Sequence, residues 1–171
     1  MLVADASVLI ALAKMQRLDL LRNLYGEILM GPVVKTEVVD QGRQVGARGV
    51  EQVEKALEDG WLKTVRLTAT ERRGMEGLLK TAKLDDGEAE SLALAQARML
   101  TLIVDDKEAR ALVAALGVSY LGTAGVLLEA FLRGRLSLEQ LENAVQSLSR
   151  VIWLSPAVVA EILKRAREAK R

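Results

Sequence analysis

The sequence has no cysteine and no histidine among its 171 residues. Those absences exclude a Ser-His-Asp triad, a cysteine nucleophile, a histidine acid/base pair for RNA cleavage, a structural zinc site and any disulfide. Chemistry performed by this chain must rest on carboxylates, hydroxyls, amines or a hard metal ion. Aromatic residues make up only 3% of the chain, so the core has to be aliphatic, and a stacking platform for single-stranded nucleic acid is not expected. Neither charge sign dominates: 24 Lys plus Arg stand against 23 Asp plus Glu, a formal net charge of +1, which argues against a uniformly basic DNA coat. No run approaches the roughly 20 apolar residues of a membrane span. Met1 to Ala13 has no basic start before its apolar stretch, so a cytoplasmic location with no membrane partner is expected.

What is present fits a compact fold, with 50% hydrophobic and 27% charged residues in a length that suits one domain. Met1-Leu2-Val3-Ala4 is a short apolar run stopped by Asp5, and Ser7 to Ala13 is long enough for a buried helix. The leucine-rich Arg17 to Leu24 reads as a second helix, Glu27 to Met30 as a second strand, and Gly31-Pro32 as punctuation. Pro32 opens a helix expected to run past Glu37 and Val38 until Gly42 to Gly49, which reads as a mobile loop. Val50 to Leu57 is amphipathic, Trp61 to Leu67 alternates as a strand would, and Thr68 to Lys83 reads as a polar helix. Asp85-Asp86-Gly87-Glu88 has the Asp-x-x-Glu spacing of a capping box and opens an apolar helix. Thr101 to Val104 is an apolar strand ending at Asp105-Asp106, followed by a helix over Lys107 to Leu116 and a strand over Val118 to Leu121 that ends at Gly122-Thr123. Helices over Ala124 to Leu132 and Leu138 to Leu148, an edge strand over Val151 to Trp153, a helix capped by Ser155-Pro156 and a basic tail from Lys164 to Arg171 complete the expected order.

Apolar strands alternating with helices imply an α/β fold whose mainly parallel sheet is covered on both faces, a three-layer α/β/α arrangement. In such sheets the site lies outside the carboxyl ends of the strands. Asp5, Asp105-Asp106 and Gly122-Thr123 each end a strand and therefore share one rim if those strands are neighbours. Carboxylates gathered on a rim repel each other, and burying them unpaired costs on the order of several kcal/mol, so they call for protons or a cation. Oxygen-only ligation suits Mg²⁺ or Mn²⁺, the arrangement of metal-assisted phosphodiester hydrolysis.

Val3-Ala4-Asp5-Ala6-Ser7 with its apolar continuation resembles the opening of PIN-domain proteins, and Gly31-Pro32-Val33-Val34-Lys35-Thr36-Glu37-Val38 is similar to that family's second acidic block. Leu84-Asp85-Asp86-Gly87-Glu88-Ala89-Glu90 resembles the third, and Ile103-Val104-Asp105-Asp106 followed by Gly122-Thr123-Ala124-Gly125-Val126-Leu127 resembles the fourth and its sequel. The resemblance covers about residues 1 to 135 of a single expected domain over 1–171, leaving 136–171 as a C-terminal helical extension. It implies a Mg²⁺- or Mn²⁺-dependent endoribonuclease akin to VapC-type toxins, with an RNA substrate and a small antitoxin protein as partner. It also implies Asp5, Glu37, Glu88 and one of Asp105 or Asp106 as catalytic metal ligands, with Ser7 and Thr123 as supporting hydroxyls. The slot two residues before the fourth acid is Ile103 or Val104 where the family has Thr or Ser, which leaves the choice between Asp105 and Asp106 open.

Plainer roles stand beside these. Asp5 suits the N-cap of the first helix, Glu88 the capping box, Asp86 and Glu90 a solvated first turn, and one of Asp105 and Asp106 the cap of the next helix. Arg43, Arg48, Arg72, Arg73, Lys80, Lys83 and the tail cations are candidate phosphate contacts or simply a solvated face. The leucine-rich residues 9 to 24 suit either core or a homodimer surface, and Trp61 and Trp153 read as packing anchors. Two other functions compete with the nuclease. One is a catalytically silent PIN-like interaction or nucleic-acid-binding module. The other is a phosphoacceptor domain, which needs paired acids after the first strand and a late rim lysine and is poorly served by the single Asp5.

Overall fold

The structure, a computed structural model, describes residues 1–169, so Lys170 and Arg171 of the expected basic tail lie outside the described residues. Five short strands form one sheet: β1 (Leu2–Ala4), β2 (Ile28–Met30), β3 (Leu62–Thr64), β4 (Thr101–Ile103) and β5 (Tyr120–Leu121), in the spatial order β3-β2-β1-β4-β5. Every neighbouring pair is parallel, with Leu2 opposite both Ile28 and Thr101. The helices are α1 (Ala6–Lys14), α2 (Asp19–Tyr25), α3 (Pro32–Lys35), α4 (Gly42–Gln44), α5 (Val50–Glu58), α6 (Ala69–Thr81), α7 (Asp86–Arg98), α8 (Lys107–Ala115), α9 (Thr123–Leu132), α10 (Leu138–Val151) and α11 (Pro156–Ala169).

Successive strand residues face opposite sides, and in the inner strands β1, β2 and β4 both sides are apolar, which is why these read as hydrophobic runs, whereas in the edge strand β3 only Leu62 is buried. Ala4, Ile28, Met30, Leu62 and Ile103 pack with α1, α2, α5, α9 and α10, while Val3, Leu29, Leu102 and Val104 pack with α7 and α8. The result is the three-layer α/β/α fold with a parallel central sheet. Leu9, Leu12, Leu18, Leu20, Leu21 and Leu24 lie inside the first of these cores, so core packing accounts for the leucine-rich stretch that also suited a homodimer surface. The C-terminal helices close the same layer: α10 packs on α9 and α1, and α11 buries Ile162 and Ala166 against α9 and α10.

Three expectations need correction. Gly42 to Gly49 is not wholly loop, because α3 continues through a π-helical segment (Thr36–Gln41) into α4 before Val45 leaves the helix. Val151 to Trp153 forms no strand: Val151 ends α10, Ile152 leaves the helix with an extended backbone, and Trp153 and Leu154 carry no regular structure. Ile152 and Leu154 pack onto the core and Trp153 is 83% exposed, so Trp153 is no packing anchor, whereas Trp61 does pack against the core.

A buried ion pair joins α6 to α7. Thr68 and Glu71 form a capping box at the start of α6, and Arg98 in the last turn of α7 donates from Nε to Glu71 Oε1 at 2.7 Å and from Nη2 to Oε2 at 3.3 Å. The Arg98 hydrogen bond, reinforced by the Thr68 N–H, holds the Glu71 carboxyl at a pKa of about 2. A depressed carboxyl pKa adds stability that is complete above the unfolded value near 4.5 and disappears as the pH falls toward 2. Glu71→Gln should therefore cost about 2 kcal/mol at pH 7. In urea titrations the gap between variant and wild type should close between pH 4.5 and pH 2, and a gap of constant size would contradict this assignment.

Candidate functional site

The acids gather where the strands end. Asp5 follows β1, and its N–H continues the ladder by donating to the Ile103 carbonyl at 3.0 Å. Its side chain turns back to cap α1: Oδ2 accepts from the Ser7 hydroxyl at 2.8 Å and more weakly from the Ser7 N–H at 3.4 Å, while the Ser91 hydroxyl stands 3.5 Å from Oδ1. Asp5 is buried, and burial pushes its carboxyl above the usual carboxylate range, partly offset by the Ser7 bonds.

The Asp105-Asp106 pair divides its work. Asp105 accepts the Thr123 N–H at 2.8 Å and the Thr123 hydroxyl at 2.5 Å, tying the end of β4 to the start of α9. Asp106 is exposed and caps α8 through the Ala109 N–H at 2.8 Å. Ser7 and Thr123 are thus local supports of two rim carboxylates, one on each side of the β1–β4 pair.

Glu37 and Glu88 come from helices rather than strand ends. Glu88 closes the capping box expected from its spacing, accepting the Asp85 N–H at 3.0 Å while Asp85 accepts the Glu88 N–H at 2.8 Å. Its pKa is raised by burial and by the charges of Asp85, Asp106 and Asp5, against the pull of the Asp85 N–H. Glu37 lies in the π-helical segment, a distortion frequent at functional sites. Its carboxylate rests on the start of α7, because a Cβ at Gly87 would lie 2.9 Å from Glu37 Oε1. Burial, and then the charges of Asp85, Asp5, Glu90 and Asp86, raise the Glu37 pKa to about 7.

Glu90 is not the solvated first-turn acid its position suggests. It is 3% exposed, and Oε2 accepts the N–H groups of Val33 at 2.9 Å and Val34 at 3.2 Å. Gly31 has no side chain to cap α3, so Glu90 performs the capping from α7. The glycine is also a steric requirement, since a Cβ there would lie 2.0 Å from Glu90 Oε2. Glu90, Gly31 and Gly87 are the site residues that spacing alone misses. A glycine inside the first turn of α7, at a cost of about 1 kcal/mol against Ala, was the available signal of a close approach. Asp86 is exposed, as a first-turn acid should be.

Chemically, the rim offers carboxylate oxygens, the donors a hard divalent cation takes, and mutual repulsion that such a cation relieves. Among the described residues no group of three or more acids is placed to hold one metal ion. The carboxylates instead face backbone N–H groups and hydroxyls of their own neighbourhood.

A parallel three-layer α/β/α sheet with acids collected at its carboxyl edge places the candidate site where such folds bind their ligands. The family model described as DUF3368, PIN domain, matches residues 1–168, and the chain belongs to the PIN-domain family, whose members generally act on nucleic acids. The match takes in α10 and α11, beyond the stretch that carries the sequence resemblance. A comparison with curated proteins returns no match. No helix of the described residues is long and apolar enough to cross a membrane.

The geometry makes two checkable statements. Gly31→Ala should lower the thermal midpoint by several degrees, because the new methyl displaces a buried carboxylate and frees two N–H groups at the start of α3; an unchanged midpoint would contradict the capping role of Glu90. In carboxyl NMR titrations Glu37 should titrate near pH 7, and Asp85→Asn should move it toward its ordinary value near 4.5. Since the folded state then holds the Glu37 proton more tightly than the unfolded chain does, this group favours folding below about pH 4.5 and loses that contribution as the pH rises through 7.

Proposed function

We propose that this chain is a nucleic-acid-binding PIN module whose rim carboxylates primarily organise the fold. The observation that carries this reading is that Asp5, Glu88, Glu90, Asp105 and Asp106 each accept a hydrogen bond from the chain, mostly at a helix start, while no three acids converge on one point. Family membership supplies the ligand class. The exposed cations Arg48, Arg72, Arg73, Lys80 and Lys83 are available for phosphate contacts, whereas Arg43 is paired with Glu54.

A second reading rests on a different observation, the raised pKa values of Asp5, Glu37 and Glu88. Carboxylates whose burial and mutual repulsion disfavour the charged form are those a divalent cation would stabilise. In this reading Asp5, Glu37, Glu88 and Asp105 or Asp106 hold Mg²⁺ or Mn²⁺, and the chain is an endoribonuclease, the toxin of a pair silenced by a small protein antitoxin. The bound metal would supply an activated water and charge stabilisation at phosphorus. Side chains would first have to leave their present partners.

One experiment separates the two. Purified wild type and Asp5→Asn are incubated with a mixed-structure RNA in Mg²⁺, Mn²⁺ or EDTA, with binding and cutting scored in the same samples. The first reading expects RNA binding that persists in EDTA and falls with salt, and no cutting in any metal. Metal-dependent cutting that a folded Asp5→Asn variant loses would replace it with the second. Absence of binding in every condition would defeat the proposed function.

A further inference from the structure

Charge is spread unevenly along the chain. The whole sequence carries a formal net charge of +1, yet the stretch from Val65 to Leu84 holds five cations, Arg66, Arg72, Arg73, Lys80 and Lys83, against two carboxylates, Glu71 and Glu76. Glu71 is buried and held by Arg98, so Glu76 is the one exposed carboxylate of the stretch. All five cations are exposed, and none makes an ion pair among the described residues. An excess of one sign gathered on one element is the footprint of a surface for a polyanion.

The geometry of α6 decides where that excess points. The helix packs on α7 through one side, which carries the buried Glu71 and turns Leu78 onto the core. Arg73, Gly77 and Lys80, spaced four and three residues apart, share the opposite, exposed side. The crest between the two cations is bare. A Cβ at Gly77 would meet nothing within 4 Å, so packing does not ask for glycine there, and glycine weakens a helix relative to alanine. A glycine that no neighbour requires suits the close approach of a ligand to the backbone. No aromatic residue occurs between Trp61 and Tyr120, so neither α6 nor α7 offers a face on which a base could stack.

Resting on the nucleic-acid reading above, we infer that the outer face of α6 is a duplex-binding surface, on which the sugar-phosphate backbone of a double helix crosses the crest at Gly77 with its phosphates held by Arg73 and Lys80. None of the rim acids takes part, and no base is read. Cations without aromatics contact phosphates alone, and a duplex presents one phosphate charge per about 1.7 Å of its axis, a density that a single strand lacks. Arg66, Arg72 and Lys83 extend the positive field, and Glu76 opposes it.

The test is fluorescence anisotropy in EDTA, with the full chain, of a labelled blunt RNA duplex, a DNA duplex of the same length and an oligouridylate carrying the same number of phosphates. Wild type should bind the two duplexes alike, because only phosphates are contacted, and the single strand more weakly. Arg73→Ala and Lys80→Ala should each reduce the slope of log affinity against log salt by about one. Glu76→Gln, which removes the opposing charge, should tighten duplex binding, a gain that a damaged fold cannot produce. Gly77→Leu places a helix former in open space, so it should raise the thermal midpoint and yet weaken duplex binding. Circular dichroism verifies that each variant is folded. Duplex binding unchanged in Arg73→Ala, Lys80→Ala and Glu76→Gln would overturn this inference and leave the proposed function standing. Tighter binding of the oligouridylate than of either duplex would overturn it as well, and displacement of the duplex by polyglutamate of equal charge would do so in favour of an acidic protein partner. Failure of wild type to bind any nucleic acid would remove the proposed function and this inference with it.

Discussion

The first turns of five helices reach the acidic rim, and each of them is met by a carboxylate. Asp5 caps α1, Glu90 caps α3 from across the fold, Asp85 with Glu88 caps α7, Asp106 caps α8, and Asp105 takes the first N–H of α9. Helix starts carry unpaired N–H groups and the positive end of the backbone dipole, so this is where negative side chains are most stable. Strands that all run parallel deliver their carboxyl ends, and hence these helix starts, to the same edge. Charge crowding and its relief therefore have one origin, the direction of the chain.

Glu37 is the exception that gives the rim its character. It has no donor among the described residues that answers it as the others are answered, and it sits where a π-helical turn and the missing side chain of Gly87 allow it against α7. The tie from Glu90 to Val33 and Val34 fixes the helix that carries it. Position and titration of Glu37 thus depend on two glycines and on a carboxylate from another element. The rim is a set of helix caps with one carboxylate left over, and any cation would compete with those caps for the same oxygens.

Much of this was legible in advance. Apolar runs, one alternating segment and helical periods located the five strands and most of the helices, because a doubly covered sheet writes its inner strands as hydrophobic segments and its edge strand as an alternation. Asp5 was legible both as a rim acid and as a cap, since a strand-ending Asp before an apolar helix suits either, and Glu88 as the partner of Asp85 from its spacing. Glu90 was not, because one turn of helix separates it from a solvated acid in Asp86 and nothing local says which of the two faces inward. The clamp of Glu71 by Arg98 joins residues 27 positions apart and is invisible to any local pattern, although the Thr68-x-x-Glu71 box was there to be read. Val151-Ile152-Trp153 was wrongly a strand: Val151 stays in α10 and Ile152 alone is extended, because local preference favours an extended backbone but only a neighbouring edge makes it a strand.

The chain by itself determined the order of strands and helices, the aliphatic core, the exclusion of histidine and cysteine chemistry and the arrival of acids at one edge, because these follow from local periodicity, composition and chain direction. Tertiary structure alone decided which acid is buried, which caps a helix from another element and that Trp153 stands exposed. Those depend on how elements remote in sequence pack against one another, which no local pattern records.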